Sequence, residues 1–181
     1  EAIQQRDCST TRPTRKSRRR TVDQEEVASL VAKAKEQNDK LLACALLLAW
    51  RYGLRAAEMA RLEMAGPWLL VRSAKRTSTR GSDRKISIPE KERPVLAHWI
   101  PHLAAVSTEA LRMRLYRLCR EVMPRRQGVT FHRIRHQVSS DLKSSGIDEV
   151  SIARLLGHRS CKSTRSYGDP RRGRMQRKMP P

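Results

Sequence analysis

The chain has 181 residues, and its 39 lysines and arginines against 18 acidic residues give a formal net charge of +21 at neutral pH. The sequence contains no run of about 18 apolar residues, so no membrane-spanning helix is predicted. The basic N-terminus also lacks the apolar segment of a secretory signal. A positive surplus of this size favours a polyanionic partner, usually nucleic acid, with an anionic membrane surface as the alternative.

Charge and apolar patterning divide the chain into three parts. Residues 1–20 are basic and show no apolar periodicity, so they are predicted to form a flexible linker or arm, lying along DNA phosphates or simply solvated. Residues 21–170 contain the periodic apolar blocks of one packed domain, and residues 171–181 form a basic C-terminal tail. The cysteines form no C-x-x-C pair, so reduced thiols are expected, with neither a disulfide framework nor a zinc site.

The first half of the domain is predicted to begin with helices. Capping-box patterns at residues 21–24 and 23–26 each mark a possible start of the first helix. The second helix is apolar nearly all round and is predicted to be buried. Gly53 is predicted to end that helix, and a short helix through Leu62 is expected to follow.

A hairpin and two more helices are predicted next. The strand-like runs are 68–73 and 85–88, joined by a turn over 77–83. Helices are predicted over 89–103 and 108–123. One face of the second of these is basic, and it is either solvated or in contact with DNA. This face carries Arg112, Arg114, Arg117 and Arg120.

The most informative stretch is 131–167. His132 and Arg135 are three residues apart, so they share one face of a predicted helix. Gly146 is predicted to end that helix, and Asp148 is predicted to cap the next one. The apolar stripe of this next helix comprises Val150, Ile152, Ala153, Leu155 and Leu156.

This ordered set of residues resembles the C-terminal box of the tyrosine recombinases, the phage integrase family. That box has H-x-x-R-H on a helix, a helix ending in L-L-G-H and a tyrosine about nine residues later. Here the three features stand at residues 132–136, at residues 155–158 and at Tyr167. A segment after Gly53 resembles the first box of the family, G-L-R-x-x-E, and supplies Arg55 and Glu58.

The resemblance covers about residues 23–170 and implies the family's fold. That fold is α+β, mostly α-helical, with a small antiparallel β-sheet. The family usually has a further helical domain that precedes the catalytic domain and clamps DNA from the other face. We expect this N-terminal core-binding domain to be absent from the present sequence.

The resemblance also implies catalytic roles. Arg55 and Arg135 would neutralise the non-bridging oxygens of a DNA phosphate, because a guanidinium binds two oxygens and stays charged. Tyr167 would be the nucleophile, giving a 3′-phosphotyrosyl link and a free 5′-hydroxyl. His132 would act as the base or hold the phosphate, and His158 would donate to a non-bridging oxygen.

A lysine of the hairpin would be the general acid that protonates the leaving 5′-oxygen. Lys75 matches the family position best, and Lys85, which begins the second strand, is the alternative. Glu58 would orient Arg55 or cap its helix, and His136 would support the site without acting on the substrate. No metal or other cofactor is implied.

The predicted function is therefore that of a site-specific DNA recombinase or integrase catalytic domain acting on double-stranded DNA. Two alternatives remain: a non-catalytic DNA-binding remnant of the same fold, and a type IB topoisomerase, which generally lacks the H-x-x-R-H with a following L-L-G-H. The full-length protein is expected to form a tetramer on DNA. It is expected to be cytoplasmic, of bacterial or phage origin, and associated with the nucleoid.

Overall fold

The computed structural model describes residues 22–73, 82–126 and 128–180. The predicted arm and Lys75 lie outside these ranges. The helices are α1 (Gln24–Glu36), α2 (Lys40–Tyr52), α3 (Ala56–Met59), α4 (Arg93–Ala104), α5 (Thr108–Val122), α6 (Phe131–Ser144), α7 (Glu149–Leu156) and α8 (Cys161–Ser166). The strands are β1 (Leu62–Ala65), β2 (Trp68–Val71) and β3 (Arg84–Ser87), and short 3-10 turns occupy Glu90–Glu92 and Pro170–Arg172. No helix within the described ranges is long and apolar enough to span a bilayer.

Local caps explain where the first two helices begin and end. The Asp23 side chain accepts from the Glu26 backbone N–H at 2.8 Å, and the Glu26 side chain accepts from the Asp23 N–H at 3.1 Å, so the capping box predicted at 23–26 forms. Asp39 caps α2, and Gly53 ends it in the left-handed conformation at φ 63°. As predicted, α2 is buried on most sides, and it packs against α1, α4 and α6.

Within the described residues, the sheet has three antiparallel strands in the order β1-β2-β3, one more than the two predicted runs. The prediction of a helix through Leu62 was wrong at its end, because α3 is a single turn and Leu62 starts β1. Ala65 pairs with Trp68 across a two-residue turn in which Gly66 has φ 58°. A glycine supplies this positive φ without strain, so a tight hairpin replaces the end of the predicted helix.

The three helices of the C-terminal third carry the 131–167 motifs. Thr130 caps α6, since its side chain accepts from the Arg133 N–H at 3.2 Å, and the helix packs against α2 and α7. Gly157 ends α7 in the left-handed conformation at φ 61°. Val150 was wrongly placed in the apolar stripe of α7, since it is 47% exposed. It lies in the first turn of α7, and the stripe begins at Ile152.

The residues that follow α8 pack along α6 and α2. Asp141 is fully buried and accepts hydrogen bonds from the Arg174 backbone N–H at 2.9 Å and from Arg177 Nε at 2.8 Å. Arg177 Nη1 also donates to the Trp50 carbonyl at 2.6 Å, and its guanidinium lies 4.2 Å from the centre of the Trp50 ring. The residues predicted as a basic tail are therefore anchored to the domain through a buried ion pair.

Candidate active site

The two motif boxes meet around the carboxylate of Glu58, which is fully buried. Arg55 Nη1 lies 2.6 Å from this carboxylate, Arg84 Nη2 lies 2.9 Å from it, and Arg135 Nη1 lies 3.6 Å from it. We call these three residues the arginine cluster. The first box therefore supplies the carboxylate, Glu58, that helps to hold Arg135 of the C-terminal box in place.

Glu58 serves both of the roles considered for it. Its carboxylate accepts from the Arg55 backbone N–H at 3.0 Å, which caps α3, and it orients the Arg55 guanidinium at the same time. Burial alone would raise the pKa of Glu58, but the arginine cluster outweighs burial and lowers the pKa from 4.5 to about 2. Glu58 is consequently ionised at any physiological pH.

Arg135 is fully buried and ties three segments together. Its Nη1 donates to the Gly53 carbonyl at 2.6 Å, and its Nη2 donates to the Leu156 carbonyl. Burial lowers the pKa of Arg135 to about 9 and Glu58 opposes that shift, so the guanidinium is positively charged at neutral pH. The Nε atoms of Arg84 and Arg135 are buried without a hydrogen-bond acceptor among the described residues.

Tyr167 lies against the arginine cluster of its own chain. Its ring stacks on His136 with centroids 3.7 Å apart, and the Arg135 guanidinium carbon lies over the ring, 5.6 Å from its centre. The Tyr167 hydroxyl is 3.3 Å from His132 Nδ1. Burial raises the pKa of Tyr167, while the positive charges of Arg135 and Arg55 act in the opposite direction.

His158 is held between Tyr167, Arg135 and Thr164. Its Nε2 is 3.2 Å from Arg135 Nη2, and its Nδ1 is 2.9 Å from Thr164 Oγ1. The His158 and Tyr167 rings meet edge to face with centroids 5.1 Å apart. Burial, and then the positive charge of the arginine cluster, lowers the pKa of His158 to about 3, so its imidazole is neutral at neutral pH.

Hydrogen bonds from α6 fix the backbone on both sides of Tyr167. Ser139 Oγ donates to the Tyr167 carbonyl at 2.9 Å. Lys143 Nζ donates to three carbonyls, those of Thr164 at 2.5 Å, Arg165 at 3.2 Å and Gly168 at 3.2 Å. Because α6 also carries His132 and Arg135, one helix positions the tyrosine relative to both residues.

Of the two lysines considered as the general acid, only Lys85 lies among the described residues. Lys75 lies outside the described residues. Lys85 is exposed on β3, whereas the neighbouring Arg84 reaches the buried carboxylate of Glu58. Successive side chains of a strand point to opposite faces, so Lys85 points away from the arginine cluster.

The sequence reasoning missed several residues that contact the site, among them Ser139, Arg84, Thr164 and Lys143. Arg84 begins β3 in an arginine-rich chain, so nothing in its surroundings distinguished it from a surface residue. Thr164 is fully buried in a short polar helix that has no apolar periodicity. Lys143 lies in the last turn of α6, where basic residues commonly bind free carbonyls. This position was the only feature of the sequence that could have indicated its contact with the Tyr167 segment.

Solved structures with the same fold are tyrosine recombinases. XerA recombinase is 19% identical with a TM-score of 0.63, over 82% of this chain and 59% of that chain. A lambda integrase dimer bound to a COC′ core site is 22% identical with a TM-score of 0.64, over 88% of this chain and 50% of that one. XerH site-specific recombinase, in a post-cleavage complex with palindromic difH substrate, is 17% identical with a TM-score of 0.57, over 81% and 48%. The present chain spans roughly half the length of these proteins.

The fold is thus that of a tyrosine recombinase catalytic domain, mostly helical with a small antiparallel sheet. A family model described as the phage integrase family matches residues 20–174. The chain belongs to the phage integrase family. Comparison with curated proteins by sequence finds no match.

Proposed function

We propose that this chain is the catalytic domain of a site-specific DNA recombinase that cuts and rejoins DNA through a 3′-phosphotyrosyl intermediate. One observation carries the proposal: the Tyr167 ring lies over the guanidinium of Arg135, with its hydroxyl 3.3 Å from His132 Nδ1. A nucleophile, a proton acceptor and a cluster of fixed positive charges therefore occupy one site. Membership of the phage integrase family supports the same reaction.

The proposed step is an exchange of phosphodiester bonds. The Tyr167 oxygen attacks the phosphorus, a tyrosine O–P bond forms, and the bond to the 5′-oxygen breaks. His132 accepts the phenolic proton, because the neutral tyrosine is a poor nucleophile. Attack by the freed 5′-hydroxyl of another strand on the phosphotyrosyl bond reverses the chemistry and joins the two DNA ends.

The arginine cluster and His158 are proposed to stabilise the charge that builds on the phosphate. The Arg55 side chain is 28% exposed, so its guanidinium can reach a phosphate oxygen while Glu58 orients it. Arg135 is proposed to neutralise the second non-bridging oxygen. His158 is proposed to donate a hydrogen bond to one of these oxygens.

Lys75 is proposed as the general acid for the 5′-oxygen, in preference to Lys85. The alternation of side chains on β3 supports this choice, because Arg84 reaches the buried Glu58 and Lys85 therefore leaves the strand on the other face.

Double-stranded DNA is the proposed substrate, and a tetramer on DNA, formed by a longer protein that contains this domain, is the proposed assembly. The net charge of +21 supports a DNA partner. One structure of the same fold is a lambda integrase tetramer bound to a Holliday junction. We propose association with the nucleoid on the same grounds.

The test is the formation of a covalent protein–DNA adduct. The chain is incubated with nicked suicide duplexes whose central positions are randomised, and products are separated on a denaturing gel. The trapped DNA is sequenced, which identifies the cleaved site. The expected result is an adduct with the wild-type chain and with Tyr116→Phe, a change at an exposed tyrosine of α5, but none with Tyr167→Phe.

The alternatives predict different results. A folded chain that binds DNA but gives no adduct, even when fused to the DNA-clamping domain of a recombinase of this family, would favour the non-catalytic remnant. An adduct without sequence preference, together with relaxation of supercoiled plasmid, would favour a type IB topoisomerase. The approach of Tyr167 to the arginine cluster favours the recombinase over the non-catalytic remnant.

A further inference from the structure

The hydroxyl of Thr164 contacts the imidazole of His158, a residue of the candidate site. Thr164 is fully buried, and its Oγ1 lies 2.9 Å from His158 Nδ1. Its carbonyl accepts hydrogen bonds from Lys143 Nζ at 2.5 Å and from the Tyr167 N–H at 3.2 Å. The residue is therefore fixed by its backbone, and its hydroxyl is held next to the imidazole.

The hydrogen-bond partners define the tautomer of His158 in this state. A guanidinium only donates hydrogen bonds, so the contact of 3.2 Å between Arg135 Nη2 and His158 Nε2 requires a lone pair on Nε2. The single ring proton of the neutral imidazole is then on Nδ1, which donates to Thr164 Oγ1. In this arrangement His158 cannot donate to anything at Nε2.

The proposed reaction requires the opposite arrangement. A lone pair on Nε2 would repel a phosphate oxygen, whereas an Nε2–H would stabilise it. We propose that Thr164 is a positioning residue whose hydroxyl allows His158 to change tautomer, from Nε2 acceptor toward Arg135 to Nε2–H donor toward a phosphate oxygen. This inference rests on the proposed function, because it assumes that a phosphate enters the site.

A hydroxyl is suited to this role because it can both accept and donate. It accepts from Nδ1–H in the first state and donates to the Nδ1 lone pair in the second, by rotating about its own C–O bond. A carbonyl or carboxylate at this place would only accept and would hold the proton on Nδ1. The exchange takes one proton from solvent at Nε2 and returns one from Nδ1, so the charge of the ring is unchanged.

The electrostatic environment keeps the ring neutral while it exchanges tautomers. Burial, Arg135, Arg55 and Arg84 all disfavour a second ring proton and lower the pKa of His158. Glu58 acts in the opposite direction, but it is already paired with the arginine cluster. In the free chain the ring therefore holds a single proton, and donation by Nε2 requires that proton to be on Nε2.

Two substitutions at Thr164 distinguish the effect of its hydroxyl from the effect of the shape of its side chain. Thr164→Val keeps the shape and removes the hydroxyl, whereas Thr164→Ser keeps the hydroxyl. The expected rate of adduct formation is about tenfold lower for Thr164→Val, as for loss of one hydrogen bond in the transition state, and close to wild type for Thr164→Ser. Equal rates for Thr164→Val and wild type would overturn the proposal, and so would equal losses in the two variants.

A double-mutant cycle tests whether Thr164 acts through His158. In a His158→Gln background, Thr164→Val is expected to cause no further loss, because the group it positions is gone. A tenfold loss in both backgrounds would mean that Thr164 supports the fold rather than His158, and the proposal would fail.

Nuclear magnetic resonance reads the tautomer of His158 directly, with Thr164 unchanged. With nitrogen-15-labelled histidine, the His158 signals are assigned by their absence from His158→Gln. The expected result is a proton on Nδ1 in the free chain and on Nε2 in the trapped adduct. Protons on both nitrogens in the adduct, or no change from the free chain, would overturn the proposal. If the wild-type chain formed no adduct at all, the proposed function would itself be wrong. The donation by His158 Nε2–H to a phosphate oxygen would then be wrong as well.

Discussion

At the scale of single residues, Glu58 determines the electrostatics of the site. One buried carboxylate contacts three guanidiniums, of which Arg84 and Arg135 have side chains only 5% and 0% exposed. Removing one partner of such a buried network leaves uncompensated charges in the interior, and this destabilises a protein strongly. The site therefore depends on Glu58 for its stability as well as for its geometry.

Glu58 predicts a specific loss of stability in acid. Its folded-state pKa is lowered from 4.5 to about 2, so its ionised form stabilises the fold above the unfolded pKa. We expect about 3 kcal/mol of stability to be lost as the pH falls from about 5 to about 2, from the size of that pKa shift. The measurement is the free energy of unfolding by urea across this pH range.

Glu58→Gln should lower the free energy of unfolding at pH 7 by about 3 kcal/mol or more and should flatten the acid dependence. Glu63→Gln is the matched control, because Glu63 is half exposed and pairs with Arg72 at the surface, where solvent screens the pair and its contribution to stability is small. If Glu58→Gln kept the full acid sensitivity of wild type, the arginine cluster would not be its source.

At the scale of elements, the ends of helices do most of the positioning. Gly53 at the end of α2 and Gly157 at the end of α7 both adopt left-handed conformations. Their helix ends present to Arg135 the carbonyls of Gly53 and Leu156. Two helix C-termini, which carry partial negative charge, therefore face a buried guanidinium from α6.

Gly157→Ala should be more damaging than the same change at Gly146. Both residues have positive φ, 61° and 77°, so both alanines are strained by about 1–2 kcal/mol. At Gly157 the added Cβ would also lie 2.6 Å from Arg84 Nη1 and 3.0 Å from the Ser82 carbonyl, whereas nothing lies within 4 Å at Gly146. We expect Gly157→Ala to cost about 2 kcal/mol more in urea unfolding, because it displaces Arg84 from Glu58. Equal losses at the two glycines would show that Arg84 adapts without leaving the carboxylate.

At the scale of the whole molecule, a net charge of +21 must be distributed over a small surface. Some of the basic face predicted on α5 is already neutralised, since Arg114 pairs with Asp39 at 3.1 Å and Arg112 with Glu109 at 3.5 Å. Arg117 and Arg120 are exposed on the same helix. If α5 lies along DNA, these two residues are the ones available to bind phosphates.

Arg117→Gln should therefore weaken DNA binding in a salt-dependent way. Each phosphate contact releases condensed counterions, so loss of one contact is expected to reduce the slope of log affinity against log salt by about one. Fluorescence anisotropy with a random-sequence duplex at several salt concentrations measures the slope. Arg114→Gln, whose charge is already paired within the protein, should change the slope less. An unchanged slope for Arg117→Gln would place α5 away from DNA.

Sequence reasoning predicted the residues that the family motifs name, Glu58 among them, and missed Arg84 and Thr164, which support them. Spacing was enough to put His132 and Arg135 on one helical face and to end α7 at Gly157, because both depend on local geometry. The β1 strand and the exposed Val150 were misassigned, since four-residue segments carry too little periodicity to fix their type or phase. Arg84 and Thr164 act through contacts between distant segments, which no local pattern encodes.

The burial of Arg135 has a consequence for how this site would decay over evolution. Tyr167 and His132 are partly accessible, and they could be replaced in a lineage no longer selected for recombination without exposing an unpaired charge. Arg135 and Glu58 are paired in the interior, so the loss of either would destabilise the domain whether or not its activity was under selection. In diverged descendants of such a domain, Arg135 and Glu58 should be retained more often than Tyr167. A domain that keeps the buried pair but lacks the tyrosine would be a descendant that has lost the reaction.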